Sequence, residues 1–120
     1  MSIEIDLSGN VALVTGANSP IGLAVSYELK KAGADLVLAT HNNDDNIKSF
    51  INSIPATILN ADLRNPQEVE KLISETFDIN KQLDIIVNNA ALQNVENLNE
   101  IDSDSWDAVL ETNLRSIHLL

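Results

Sequence analysis

The stretch Val11-Ala12-Leu13-Val14-Thr15-Gly16-Ala17-Asn18-Ser19-Pro20-Ile21-Gly22 constrains the fold of this chain more than any other. Val11 to Val14 is an unbroken apolar run, which suits a strand buried on both faces. It runs into a tight loop of small residues. Ile21, Val25 and Leu29 then recur at helical spacing, with Ala24 and Ala32 alongside. Strand, glycine loop and helix together present backbone N–H groups and a positive helix end to a phosphate. Gly16 permits the turn and a close approach of backbone to ligand, and Gly22 lets the helix pack closely on the strand. One reading is a dinucleotide pyrophosphate resting on residues 16–22. The other is a plain strand-to-helix turn that binds nothing. Pro20 stands where a middle glycine would complete the usual pattern. It suits the first turn of a helix, but it removes one N–H from the phosphate nest.

Length and charge narrow the classes. A chain of 120 residues suits one domain with a modest core. Seven Lys and Arg against 18 Asp and Glu give a net charge of −11, which makes no basic footprint for nucleic acid. There is no cysteine and hence no disulfide framework. Met1 to Gly9 is mixed and acidic, without the basic and apolar start of a signal peptide, and no apolar run reaches membrane-spanning length. A soluble cytoplasmic protein with no membrane, nucleic-acid or metal site is the expectation.

Ile3 to Gly9 reads as a lead-in, Val11–Val14 as the first strand, and Pro20 to about Ala32 as the first helix, stopped by Gly33. Leu36 to Thr40 is a second strand. His41 to Asp45 is a polar loop, and Asn46 to about Ser53 a short helix. Ala56 to Leu59 is a third strand, ending at Asp62-Leu63. Asn65 caps a helix that has Pro66 at its first position and an apolar stripe of Val69, Leu72, Ile73, Thr76 and Phe77. Leu83 to Val87 is a fourth strand, ending in Asn88-Asn89-Ala90-Ala91. Asp102 or Ser103 caps a last helix with Trp106, Val109, Leu110, Leu114 and Ile117 on its apolar face. Alternating strands and helices mean an α/β fold with a parallel sheet; four strands and four helices make about half of a doubly wound fold. No domain boundary is visible within residues 1–120.

In such a sheet, ligands bind outside the carboxyl ends of the strands. Those ends carry Thr15–Gly22, Thr40-His41, Asp62-Leu63 and Asn88–Ala91. Asp62 could accept a hydrogen bond from an adenine amino group, or could be an Asx cap. Asn88 and Asn89 could brace the sheet edge and contact a ribose, or simply form a turn. Asn113 falls on the apolar face of the last helix. A buried polar side chain without partners costs about 1–3 kcal/mol, so Asn113 holds either a structural hydrogen bond or an ordered site water.

Together these motifs resemble the amino-terminal half of a short-chain dehydrogenase/reductase. The resemblance covers essentially all 120 residues. Thr15–Gly22 is similar to the family's glycine motif, with Pro20 in place of a glycine. Asp62-Leu63 is similar to its adenine-binding pair. Asn88–Ala91 is similar to its Asn-Asn-Ala-Gly motif, with Ala91 replacing glycine. Trp106 followed by Thr112-Asn113-Leu114 is similar to the helix carrying its catalytic Asn. The resemblance implies a Rossmann-like fold and an NAD or NADP cofactor. Its contacts would be Gly16, Asn18, Ser19, Ile21, Gly22, Thr40, His41, Asp62, Leu63, Asn89, Ala90 and Ala91, with Asn113 catalytic. The reaction implied is hydride transfer between the nicotinamide and a small alcohol or carbonyl substrate, whose identity is not encoded here. The family's proton-transferring Ser and Tyr-x-x-x-Lys would follow the last helix. The expectation is therefore a chain truncated at its carboxyl end, inactive alone and prone to self-association. The competing readings are a stand-alone dinucleotide-binding or interaction module and a non-functional remnant.

Tyr27 and Lys31 form a Tyr-x-x-x-Lys by spacing, but on the first helix, where an exposed i,i+4 pair is expected. His41 lies near where a ribose 2′ substituent would sit, and His118 on the last helix reads as packing. Neither Thr40 nor His41 repels a 2′-phosphate, and no Lys or Arg stands there to hold one, which tips the cofactor slightly toward NADP. The last helix is of a kind that often forms subunit contacts in the family, which leaves a homo-oligomer open.

Overall fold

Val11–Thr15 forms β1, and all five residues are buried, as an apolar run covered on both faces requires. In the computed structural model, which describes residues 3–42, 45–92 and 99–120, β1 is an inner strand of a four-stranded parallel sheet. β2 (Asp35–Thr40) and β4 (Ile85–Val87) flank it, and β3 (Thr57–Asn60) lies outside β2, giving the order β3-β2-β1-β4. Val14 pairs with both Leu38 and Val87, and Leu38 pairs with Ile58. This register brings the carboxyl ends of the strands to one edge.

Two helical layers cover the sheet. α1 (Pro20–Lys31) and α2 (Asp45–Ser53) close over Ala12, Val14, Leu36 and Leu38 with Leu29, Ile47 and Phe50. α3 (Pro66–Asn80) closes over Val11, Leu13, Val37 and Ala39 with Val69 and Leu72, and Leu119 and Leu120 join that cluster. Part of the polar loop expected from His41 to Asp45, at 43–44, lies outside the described residues.

Local chemistry sets the helix starts. Ser19 Oγ accepts from Gly22 N at 3.0 Å, and Pro20 follows at the first helical position. Asn65 Oδ1 accepts from Gln67 N at 3.0 Å, and Asp102 Oδ1 from Ser105 N at 2.7 Å. α1 ends with Gly33 at φ 105, the left-handed region expected just past a helix.

Several boundaries and faces differ from the sequence expectation. β3 runs from Thr57 to Asn60 rather than from Ala56 to Leu59. β4 starts at Ile85 rather than Leu83, because the Asp84 carboxylate takes the place of a ladder carbonyl. Its Oδ2 accepts from Val11 N at 2.8 Å while Asp84 N donates to Val11 O at 3.0 Å. On α3, Phe77 leaves the expected stripe and is 46% exposed. On α1, Ile21 is 69% exposed, and the small residues Gly22 and Ser26 face the sheet instead.

The last helix differs most. It runs as α4 (Ser103–Leu110), a π turn (Glu111–Arg115) and α5 (Ser116–Leu119), with helical backbone at both joints. Its expected apolar face points outward: Trp106 is 56% exposed and Leu114 66%, and Leu110 and Ile117 are also exposed. Ala108 and Ser116 are buried instead. Small residues permit close packing against neighbouring elements, and hydrophobic periodicity does not say which apolar face meets the core.

Candidate functional site

The strand ends, the glycine loop and the π turn enclose a cleft of about 370 Å³. Its lining includes Gly16, Asn18, Thr40, His41, Asp62, Leu63, Ala90 and Ala91, which brings together eight of the residues singled out in the sequence. Ser19, Gly22 and Asn89 belong to the scaffold of the glycine loop, and Ile21 is exposed on the first turn of α1. Arg64, Leu92 and Thr112 also line the cleft. Sequence reasoning missed Arg64 and Leu92, although each is the immediate neighbour of a residue it had singled out, and it took Thr112 only as part of the Asn113 motif, with no place in the cleft.

The glycine loop is shaped by protein contacts. Gly16 has φ 59, and a Cβ placed on it would lie 2.7 Å from Ala90 Cα. The close approach expected at Gly16 is thus, in this structure, an approach to the backbone beyond β4. A Cβ on Gly22 would lie 2.6 Å from Gly16 O and 2.8 Å from Asn89 Nδ2, so the first turn of α1 sits directly on the loop. Thr15 Oγ1 accepts from Asn89 N and Ala90 N, each at 3.1 Å. Asn89 Nδ2 lies 3.0 Å from both Gly16 O and Ser19 Oγ. Asn89 therefore braces the sheet edge, while Asn88 is exposed. Ser19 N and Gly22 N are engaged within the loop, and Pro20 has no N–H. The second helical residue, Ile21, keeps the N–H that no intrahelical carbonyl can reach.

At the end of β2, Thr40 is buried and its hydroxyl donates to Asn60 Oδ1 at 3.0 Å, while His41 is exposed. Asp62 Oδ1 accepts from Arg64 N at 3.0 Å, an Asx turn, in the lining of the cleft. Asn113 is held structurally: its Nδ2 donates to Leu92 O at 2.9 Å and its Oδ1 accepts from Leu92 N at 2.6 Å. Tyr27 and Lys31 are exposed on α1. Among the described residues, no helix is long and apolar enough to cross a membrane.

The family model for short chain dehydrogenases matches residues 10–120, all of the sheet and its helices. The chain belongs to the short-chain dehydrogenase family. A D-beta-hydroxybutyrate dehydrogenase of Rhizobium meliloti (strain 1021) is 34% identical over 111 residues, covering 88% of this chain and 43% of the relative. A 2-dehydro-3-deoxy-D-gluconate 5-dehydrogenase of Bacillus subtilis (strain 168) is 31% identical, covering 95% and 46%. A short-chain dehydrogenase of Burkholderia cenocepacia J2315, solved in complex with NADP, superposes with a TM-score of 0.88. It is 28% identical, with 94% of this chain and 48% of that one covered. The chain spans about half the length of the short-chain dehydrogenases it matches.

Proposed function

We propose that this chain is the cofactor-binding half of an NAD(P)-dependent oxidoreductase. That protein interconverts a small alcohol and its carbonyl compound. The observation that carries the reading is the cleft, which opens at the carboxyl edge of a parallel sheet beside the first turn of α1. The NADP complex of the Burkholderia relative supports it.

The residues present fit a dinucleotide, since a glycine loop, a helix start and the ends of β2, β3 and β4 converge on one space. In this reading Gly16, Asn18, Ser19, Ile21 and Gly22 form the pyrophosphate side. The Ile21 N–H and the α1 dipole attract negative charge there. Thr40 and His41 meet the ribose 2′ substituent. Asp62 and Leu63 hold the adenine. Asn89, Ala90 and Ala91 shape the far wall, and Asn113 supports the catalytic end. The bound nicotinamide supplies the hydride chemistry. The acidic chain without cysteine suits the cytoplasm. The outward row Trp106, Leu110, Leu114 and Ile117 suits a homo-oligomer.

Thr40 and His41 put no carboxylate at the end of β2, which favours NADP. Fluorescence titration with NADPH and NADH tests the whole reading: both bind, NADPH somewhat tighter. Thr40→Asp reverses the preference by about tenfold, because a carboxylate hydrogen-bonds a 2′-hydroxyl and repels a 2′-phosphate. No binding of either dinucleotide at millimolar concentration overturns the reading.

A further inference from the structure

The π turn Glu111–Arg115 grips the loop after β3 from both of its ends. Arg64 Nε donates to Glu111 Oε2 at 3.3 Å. Arg115 Nη2 donates to the Arg64 carbonyl at 2.6 Å and lies 3.9 Å from the same Glu111 oxygen. Midway along the turn, the Asn113 carboxamide holds both backbone groups of Leu92, beyond β4. One short turn thus ties together two walls of the cleft, residues 62–64 on one side and 90–92 on the other, with Thr112 lining the space as well. Asp62 moves with Arg64, because its Oδ1 accepts from Arg64 N. π turns are rare and concentrate at functional sites. The Glu111 carboxylate lies between two guanidinium groups, hydrogen-bonded to Arg64 and within ion-pair distance of Arg115.

We propose that Arg64 and Arg115, bridged by Glu111, are positioning residues that set the width of the adenine end of the cleft. The proposal rests on the dinucleotide-binding reading. The clamp does its work through the wall it holds: adenine would be gripped between Asp62-Leu63 and the loop after β4, and loosening the clamp lets these walls part.

The test uses the natural protein that carries these residues, with 5′-AMP, 2′,5′-ADP and nicotinamide mononucleotide as competitors of NADPH. Arg115→Met and Glu111→Gln weaken 5′-AMP and 2′,5′-ADP by the same factor, about fivefold for a partly exposed ion pair. Nicotinamide mononucleotide is unaffected. Arg115→Lys restores most of the affinity, because its ammonium still reaches the Arg64 carbonyl. Equal weakening of all three competitors overturns the clamp in favour of general destabilisation. Weakening of 2′,5′-ADP alone in Arg64→Met overturns it in favour of direct phosphate contact. Unchanged affinities also overturn it. Failure of the unaltered protein to bind NADPH removes the functional reading and the clamp with it.

Discussion

Thr15 and Asn89 are joined twice, at the place where β1 ends and the loop after β4 begins. Asn89 N donates to Thr15 Oγ1 at 3.1 Å, and Asn89 Nδ2 lies 3.2 Å from Thr15 O. The same Nδ2 faces Gly16 O and Ser19 Oγ. One amide group with two hydrogens serves three oxygens, and the glycine loop becomes rigid with β4. Asn89→Ala removes the amide from Thr15 O and Gly16 O, leaving Ser19 Oγ only its bond from Gly22 N, and costs about 2 kcal/mol. Asn89→Asp costs more, because a carboxylate has no hydrogen to give and faces two carbonyl oxygens. Urea unfolding checks the order; equal stability of the two variants would contradict the geometry.

Gly16 and Gly9 separate backbone conformation from packing. Both have positive φ, 59 and 83, but a Cβ on Gly9 meets nothing within 4 Å while one on Gly16 meets Ala90 Cα at 2.7 Å. Gly9→Ala costs about 1 kcal/mol of left-handed strain. Gly16→Ala costs about 3 kcal/mol or more, because backbone must move as well, and it weakens dinucleotide binding. Thermal unfolding of the two variants tests this, and similar losses would show that conformation alone requires Gly16.

Asp84 closes the start of the β1–β4 ladder through the buried strand residue Val11, and Gln82 Nε2 also donates to Asp84 Oδ2 at 2.7 Å. Asp84→Ala strands the Val11 N–H and destabilises by about 1–3 kcal/mol. Asp84→Asn keeps an acceptor and loses less. Amide exchange at Val11 reads the change directly: it speeds up in Asp84→Ala and stays slow in Asp84→Asn.

The Asp102 cap makes the start of α4 sensitive to acid. The backbone N–H of Ser105 is the main influence that lowers the Asp102 pKa from its ordinary 3.8. A carboxyl whose folded pKa is lowered stabilises the fold above its unfolded value and loses that contribution as pH falls through the folded one. The start of α4 is therefore firm at neutral pH and frays below about pH 3.8. Asp102→Ser keeps a capping oxygen and removes the titration. NMR of the Ser105 amide follows both, and the same acid fraying in Asp102→Ser would refute the assignment.

Much of the architecture was legible because its causes are local. The run Val11–Val14 marks a buried strand. Asn65 with Pro66 marks the start of α3, and Asp102 the start of α4. The lining of the cleft was legible where motifs end strands, at Gly16, Thr40, Asp62 and Ala90. It was not legible at Arg64 and Leu92, nor did the motif around Asn113 show that Thr112 lines the cleft, because their places depend on neighbours far away in sequence. Trp106, Leu110, Leu114 and Ile117 recur at helical spacing on the surface as regularly as they would in a core. Their outward face shows that period identifies a helix without orienting it.

By itself, the sequence determined the alternation of strands and helices, the caps and the gathering of polar loops at the carboxyl edge of a parallel sheet. Each of these follows from residues within a few positions of one another. Tertiary structure alone decided that Ala90 fills the space above Gly16, that small residues of the last helix are its buried ones, and that a π turn bridges Arg64 and Leu92. These depend on contacts between residues as far apart as 47 positions for Arg64 and Glu111 and 74 for Thr15 and Asn89. Only the packed sheet brings such residues within bonding distance.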